Sequence, residues 1–231
     1  MKTLYNQLLN DHRYREGMNS CINCGTCTAI CPAAEFYNYD PRKIVELVQR
    51  KDEEELKKLL ESEFIWYCGQ CLSCITRCPR KNAPALIIQA LRELSINNGL
   101  FIKAEKGRQQ YALNRILCNN ILETGYGIHP TTFKYVKHPE AGTVQGWIED
   151  NLEDLHSRLG SNYNGNGTGV LRKTSKETLD ELKRIFDITG ATKRMEIVEK
   201  YSKEYAKEQG ISLEEFFDFV YTANEKEHNS K

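Results

Sequence analysis

The 231-residue sequence lacks an excess of one charge, a long apolar run and an export signal. Its 32 basic residues are balanced by 32 acidic ones, which argues against bulk attraction to nucleic acid or anionic lipid. The longest apolar stretch, around Ala85–Leu91, is too short to cross a bilayer. The N-terminal residues MKTLYNQLLNDHRYREG contain no continuous hydrophobic segment of the kind found in a secretory signal. We therefore expect a cytoplasmic protein with no membrane span and no nucleic-acid partner.

Signatures of nucleotide binding are absent as well. Neither G-x-G-x-x-G nor G-x-x-x-x-G-K-[ST] occurs, and no Cys-Cys-Gly sequence is present. No Ser/His/Asp set stands out from the sequence alone. The sequence thus predicts no catalytic residue of its own, which favours an electron carrier over a self-contained enzyme.

Cysteine, in contrast, is abundant. Eight of the nine cysteines fall into two tight groups, and Cys118 stands alone. Clustered thiols in a chain without an export signal are typical of metal binding rather than of disulfides. Cys118 lies in a helical pattern between Tyr111 and Leu122, where a lone cysteine is commonly a small apolar residue.

The two groups have the same spacing, C-x2-C-x2-C-x3-C-P. They read Cys21-Ile-Asn-Cys24-Gly-Thr-Cys27-Thr-Ala-Ile-Cys31-Pro32 and Cys68-Gly-Gln-Cys71-Leu-Ser-Cys74-Ile-Thr-Arg-Cys78-Pro79. This spacing is typical of cubane iron–sulfur clusters, in which the fourth cysteine of each run ligates the other cluster. We therefore predict two [4Fe-4S] clusters with crossed ligand sets, one held by Cys21, Cys24, Cys27 and Cys78 and the other by Cys68, Cys71, Cys74 and Cys31.

Zinc is the alternative metal, since pairs of Cys-x-x-Cys knuckles bind it in all-cysteine sites. A third cysteine at the same short gap, present twice, favours iron–sulfur ligation instead. Around the ligands we expect Gly25 and Gly69 to permit backbone conformations that direct N–H groups at sulfur. We also expect positive charge beside the second group only, from Arg77, Arg80 and Lys81.

Helical patterns dominate the rest of the chain. Asp40-Pro41 reads as an N-cap with proline at the first helical position, and Pro84 opens another apolar helix. Thr174-x-x-Glu177 and Ser212-x-x-Glu215 both match the capping box. We predict a mostly α protein with a cluster-binding core in 1–100, a helical continuation packed on it in 101–159, a flexible Gly/Asn linker in 160–169 and a helical C-terminal extension in 170–231.

Residues outside the ligand positions carry a specific resemblance. The spacer between the two groups is helical, and it is followed by Ile65-Trp66-Tyr67-Cys68 and by Arg80-Lys81-Asn82-Ala83-Pro84. Together with Asp40-Pro41-Arg42-Lys43-Ile44, these features over about residues 15–125 resemble the iron–sulfur C subunit of heterodisulfide reductase. The resemblance implies an α-helical ferredoxin domain that binds two cubane clusters.

The same resemblance implies partners. The chain would pass single electrons between a flavin subunit (the A subunit, which carries flavin and iron–sulfur clusters) and a catalytic subunit (the B subunit, built on Cys-Cys-Gly motifs). The substrate in methanogenesis is the mixed disulfide of coenzymes M and B, whereas a related complex of sulfur metabolism handles sulfur on a lipoyl-type carrier. The segment after Asn119 looks like an addition to the short methanogen form, which moves the expectation toward the sulfur-oxidising branch or another variant complex. We expect this extension to pack on another subunit or on a second copy of the chain.

Two other functions fit parts of the pattern. One is the iron–sulfur subunit of a flavoprotein dehydrogenase of the succinate/fumarate, glycolate or glycerol-phosphate type, although such chains often add Cys-Cys-Gly domains or a third cluster motif. The other is a structural metal-binding module, against which the absence of a basic stripe and the proximity of two clusters both argue.

Overall fold

The computed structural model describes residues 3–132, 134–137 and 141–222, and within these ranges the chain contains helices and no strand. The prediction of a mostly α protein is confirmed. None of the described helices is both long enough and apolar enough to span a bilayer. The α-helices are α1 (Leu4–Leu9), α2 (His12–Gly17), α3 (Thr26–Ala29), α4 (Pro32–Phe36), α5 (Pro41–Arg50), α6 (Glu53–Leu60), α7 (Ser73–Arg77), α8 (Pro84–Asn97), α9 (Glu105–Leu113), α10 (Asn119–Thr124), α11 (Thr143–Asp150), α12 (Leu152–Arg158), α13 (Lys176–Thr189), α14 (Ala191–Glu208) and α15 (Leu213–Thr222).

Short helical turns of other types connect some of these elements. Three are 3-10 turns, at Phe64–Trp66, Leu100–Lys103 and Tyr135–Lys137, and one is a π-helical turn at Asn114–Cys118 that joins α9 to α10.

The chain divides into two compact units. The first comprises the residues up to Arg108 together with Lys200–Tyr205, and the second comprises Gln109–Glu199 together with the residues from Ala206 onward. Both cysteine groups belong to the first unit. The boundaries expected at residues 100, 159 and 169 stay predictions, and residues 223–231 of the expected extension lie outside the described residues.

The first unit is built around α8. Proline at the first helical position starts this helix, as predicted, and its apolar side chains are buried on several faces. They include Ile87, Ile88 and Leu91, each at most 1% exposed. Burying a side chain of this size contributes about 1.5–3 kcal/mol, so α8 is the main source of apolar stabilisation around the cysteine loops.

The helix α5 follows the first cysteine group and also begins as predicted. The Asp40 carboxylate accepts hydrogen bonds from the backbone N–H groups of Arg42 (3.0 Å) and Lys43 (3.3 Å), and Pro41 occupies the first helical position. Ile44, Val45 and Val48 form its buried face. Together with its packing on α8, this cap fixes where α5 begins relative to the first cysteine loop.

One predicted cap in the second unit is confirmed and the other is wrong. Ser212 and Glu215 form the reciprocal capping box, with Oγ and Oε2 accepting at 3.1 and 2.7 Å. At α13 the N-cap is Ser175 rather than Thr174, because the Thr174 hydroxyl donates instead to the carbonyl of Thr124 (2.6 Å). A tertiary hydrogen bond has therefore displaced the local one.

The predicted Gly/Asn linker forms turns closed by hydrogen bonds. The N–H of Asn162 donates to the carbonyl of Val170 (3.1 Å), and that of Asn164 donates to the carbonyl of Leu171 (3.0 Å). The Asn162 amide also donates to the carbonyls of Asn166 and Thr168, both at 2.9 Å. These bonds tie Asn162 and Asn164 to residues within the segment and just beyond its end.

Candidate iron–sulfur centres

The two cysteine loops have the same backbone conformation. Asn23 and Gln70, the residues before the second cysteine of each group, both have positive φ (61° and 55°). Gly25 and Leu72, the residues after it, also match, with φ of 79° and 63°. Each loop then enters a short helix, α3 or α7. The equal spacing of the cysteines therefore corresponds to an equal path of the chain.

This comparison corrects one expectation about glycine. Gly25 does occupy the left-handed region, but Gly69 does not, and the residue equivalent to Gly25 in the second loop is Leu72. Gly69 corresponds in position to Ile22 instead. Only in the first loop does glycine relieve the strain of this conformation.

A first cavity brings together cysteines from both groups. Cys21, Cys24 and Cys27 line it from the first loop, and Cys78 lines it from the end of the second group. Backbone N–H groups already donate to two of these sulfurs, that of Asn23 to Cys21 Sγ (3.4 Å) and that of Asn82 to Cys78 Sγ (3.3 Å).

A second cavity has the reciprocal composition. Cys68, Cys71 and Cys74 line it from the second loop, and Cys31 lines it from the end of the first group. All nine cysteines of the chain are free thiols. Each cavity thus receives three cysteines from one loop and the fourth from the other, which is the grouping expected from the spacing.

The acidities of the thiols follow their positions in the loops. A hydrogen bond from Thr26 lowers the pKa of Cys24, and one from Ser73 lowers that of Cys71. Burial and the nearby Cys74 and Cys21 raise the pKa of Cys27 to about 11, and burial also raises that of Cys74. Because metal ligands must be deprotonated, cluster assembly on Cys27 and Cys74 releases protons that these thiols would otherwise retain.

The donor set matches the ligands that a cluster requires. A [4Fe-4S] cluster takes four cysteine thiolates, and each cavity presents four free thiols with no competing disulfide. No three His, Cys, Asp or Glu side chains in the described ranges are grouped so as to hold a single metal ion. The residues present therefore fit two cubane clusters in donor type and number.

Basic residues also lie beside the first cysteine group, contrary to the expectation. Arg80, expected beside the second group, lines the first cavity together with Arg42, and its Nε donates to the carbonyl of Ser20 (3.4 Å). Arg42 forms an ion pair with Asp40 (3.1 Å). The prediction that positive charge lies beside the second group only was therefore wrong for Arg80, because the chain after Cys78 turns back toward the first loop.

Aromatic side chains surround the second cavity, and sequence reasoning identified only some of them. Tyr67, which belongs to the motif Ile65-Trp66-Tyr67-Cys68, stacks on Tyr37 with ring centroids 4.4 Å apart. Tyr37 and Tyr39 both line the cavity, and neither was singled out from the sequence. Tyr39 is 3% exposed.

Arg92 of α8 is a further residue that the sequence did not single out. Its guanidinium donates to the carbonyls of Ile65 (2.6 Å), Trp66 (2.9 Å) and Cys68 (2.6 Å). It also lies over the Trp66 ring, 5.4 Å from the centroid. The one signal in the sequence is a cation in an otherwise apolar stretch of α8. Cys118, by contrast, lies in the π-helical turn and lines neither cavity, and burial raises its pKa.

Comparison with known proteins agrees with this geometry. The 4Fe-4S dicluster domain matches residues 17–82, which contain both cysteine groups. The C subunit of the ferredoxin:CoB-CoM heterodisulfide reductase of Methanosarcina acetivorans is 36% identical over 197 residues, 84% of this chain and 70% of the relative.

Two further relatives match a shorter part. A CoB–CoM heterodisulfide reductase iron-sulfur subunit of Methanocaldococcus jannaschii is 35% identical over 98 residues, and the C2 subunit of the H2/formate:CoB-CoM heterodisulfide,ferredoxin reductase of Methanococcus maripaludis is 34% identical over 96. In both cases the match covers 42% of this chain and half of the relative.

The longer match also bears on the segment after Asn119, which as an addition to the short methanogen form moved the expectation toward the sulfur-oxidising branch. A match over 84% of the chain must include most of that segment. Two cavities of four cysteines, the dicluster domain and this extended similarity lead to one assignment. The chain belongs to the family of heterodisulfide reductase C subunits, and it is an electron-transferring iron–sulfur protein with two [4Fe-4S] clusters.

Proposed function

We propose that Cys21, Cys24, Cys27 and Cys78 hold one cluster and that Cys68, Cys71, Cys74 and Cys31 hold the other. The observation that carries this proposal is the lining of the two cavities, each with three cysteines of one group and the last cysteine of the other. Bound there, the clusters would supply reversible one-electron chemistry.

The chain's own residues would position the two centres close together. The helices α3 and α7, which follow the two loops, pack against each other. Cys27 and Cys74, the third cysteine of each group, are near enough that the charge on Cys74 affects the pKa of Cys27. A short separation between centres supports transfer of electrons from one to the other rather than two unrelated structural sites.

The function proposed for the chain is a relay within a heterodisulfide reductase complex. Electrons would pass between the flavin subunit, which also carries iron–sulfur clusters, and the catalytic subunit, which contains Cys-Cys-Gly motifs. The relatives named above are CoB–CoM heterodisulfide reductase subunits of methanogens, which favours the mixed disulfide of coenzymes M and B over a lipoyl-type sulfur carrier as terminal substrate. Free cysteines throughout the chain are consistent with a reducing, cytoplasmic location.

The C-terminal helices are the part of the chain that we assign to assembly. The helix α13 has Ile185 and Ile188 exposed, at 53% and 86%, although they are apolar. We propose that residues 170–231 pack on a partner subunit or on a second copy of the chain. Their deletion should weaken assembly and leave the cluster spectrum intact, whereas loss of both clusters would contradict this role.

The crossed ligand sets can be tested by counting iron in paired variants. If the sets cross, Cys31→Ala with Cys74→Ala disables one cluster and leaves about half of the iron. Cys27→Ala with Cys31→Ala then disables both clusters. If each group instead held its own cluster, the two results would be exchanged. The variants contain two substitutions each, so they differ in ligand pairing and not in the number of thiols removed.

The relay itself is tested with the purified anaerobic protein and its proposed partners. Reduction by dithionite should give signals of two magnetically interacting cubanes in electron paramagnetic resonance (EPR). Mixing with the two partners should give a complex in which the flavin subunit reduces these clusters and the catalytic subunit reoxidises them when the heterodisulfide is added. A complex in which the heterodisulfide is reduced equally fast without this chain would refute the relay.

A further inference from the structure

Two side chains next to the second cavity, Tyr39 and Arg92, have polar groups whose hydrogen-bond or charge partners within the protein are incomplete. Tyr39 is buried, and its hydroxyl lies near Cys68 and Cys31. Among the described residues the acceptor that its hydroxyl reaches is the Cys68 sulfur, and this contact falls short of full hydrogen-bond geometry. A buried hydroxyl without a well-formed hydrogen bond is costly, so a better acceptor in the cavity is expected.

The second side chain is Arg92, whose guanidinium carries a positive charge. The guanidinium is half-buried and donates to three backbone carbonyls, including that of Cys68. Within the described ranges no carboxylate forms an ion pair with it, and the charged groups that influence it are Cys68 and Tyr39. An arginine remains protonated in proteins, so a positive charge without a carboxylate partner stands directly behind a cysteine of the second cavity.

The first cavity has a neutral side chain at the corresponding place. Gln49 of α5 holds Cys21, the first cysteine of its group, by accepting from the N–H at 2.6 Å and donating to the carbonyl at 3.4 Å. Arg92 of α8 holds Cys68, the first cysteine of the second group. The cations that line the first cavity are Arg42, already paired with Asp40, and Arg80, which is exposed.

We infer that Arg92 and Tyr39 raise the reduction potential of the cluster in the second cavity above that of the cluster in the first. Reduction adds negative charge, which a nearby uncompensated cation stabilises, and a hydrogen bond to a ligand sulfur acts in the same direction. The electron would then rest preferentially on the Cys31/Cys68/Cys71/Cys74 side. Both residues are positioning residues that act through the cluster ligands, and the inference rests on the proposed ligand assignment.

The experiment is an EPR-monitored redox titration of the cluster-loaded, full-length protein. In Arg92→Gln, which copies the neutral amide of the first site, we expect reduction of the higher-potential cluster to become about tenfold less favourable, a shift of roughly 59 mV for one electron. Tyr39→Phe should make reduction of the same cluster about threefold less favourable, which lowers its midpoint potential by roughly 28 mV by the same relation. The lower-potential couple should not move in either variant.

Arg92→Lys separates charge from packing. It retains the cation but cannot reproduce the three carbonyl contacts. The equilibrium constant for reduction should therefore stay within threefold of the wild type, about 28 mV in the midpoint potential, while thermal stability falls as in Arg92→Gln. A potential that falls as far in Arg92→Lys as in Arg92→Gln would overturn the inference, since geometry rather than charge would then be responsible.

Matched controls are available within the same unit. Arg108 also donates to two carbonyls, those of Ile102 and Lys103, and lies over an aromatic ring, that of Tyr205, yet it lines neither cavity. Arg108→Gln should therefore leave both couples unchanged, as should Tyr14→Phe, which removes a buried hydroxyl that meets Tyr5.

The outcomes also separate the inference from the proposed function. The inference is overturned, and the two-cluster relay left standing, if neither midpoint potential changes in Arg92→Gln and Tyr39→Phe or if both change by the same amount. A wild-type protein with one couple, or with none, would overturn the relay and the inference together.

Discussion

The unequal roles of two glycines give a quantitative prediction about the cluster loops. Gly25 has φ of 79°, whereas Gly69 has a conformation open to any residue. A Cβ added at either position would meet no other atom within 4 Å, so steric contact does not distinguish them. The left-handed conformation costs an L-residue about 1–2 kcal/mol, while removing glycine restricts the unfolded chain equally in both cases and contributes about 0.4–1 kcal/mol of stability.

The free energies of unfolding of Gly25→Ala and Gly69→Ala should therefore differ by about 1–2 kcal/mol. For a chain of this length 1 kcal/mol corresponds to about 2–4 °C in the unfolding midpoint, so Gly25→Ala should melt about 5 °C below Gly69→Ala. Gly69→Ala should equal or slightly exceed the wild type. The assay is thermal unfolding of the anaerobic, cluster-loaded proteins, followed by circular dichroism at one heating rate. Equal midpoints for the two variants would refute the assignment of the left-handed conformation to Gly25 and not to Gly69.

Three further outcomes follow from other parts of the chain. Burial opposes ionisation of Asp40, but hydrogen bonds from Thr28 and Arg42 outweigh it and lower the pKa of this carboxyl. The stabilisation that the carboxylate provides is therefore present above its ordinary pKa of 3.8 and is lost as the pH falls through the lower pKa of the folded state. Asp40→Ala should cost about 1 kcal/mol of unfolding free energy at pH 7 and less at pH 3, as urea unfolding at the two pH values would show. Burial and His156 lower the pKa of His129, so wild-type stability should fall as the pH drops below 6.5, and His129→Gln should flatten this dependence in melts between pH 7.5 and 5.5. Removal of iron with a chelator should abolish hydrogen-exchange protection in the residues up to Arg108, because the ligands tie residues 21–31 to residues 68–78 within that unit. Protection that persists throughout α8 would contradict this.

Sequence alone was sufficient for the elements whose signals are local. The cysteine spacing predicted the composition of both cavities, since a fixed spacing in the chain produces a fixed loop. Caps such as Asp40 and Ser212 were predicted because their hydrogen bonds reach only two or three residues along the chain. Thr174 was mistaken for a cap because its partner, the carbonyl of Thr124, is 50 residues away.

The surroundings of the cavities depended on packing and were missed. Tyr39 and Arg92 come from different elements and meet only when α8 folds against the second loop. Gly69 was expected to act like Gly25 because both are glycines near a second cysteine, but the loops superpose Gly25 on Leu72. The placement of Arg80 depended on the direction of the chain after Cys78, which the cysteine spacing does not encode.

The exchange of cysteines between the two cavities has a consequence for biosynthesis. A nascent chain that has emerged only as far as Tyr67 contains every cysteine of the first group and yet has the complete lining of neither cavity. The second cavity is completed when Cys74 emerges, and the first only four residues later, with Cys78. The loop translated first therefore has its cavity completed last, and iron delivered during translation would find no four-thiol site until Cys74 had left the ribosome.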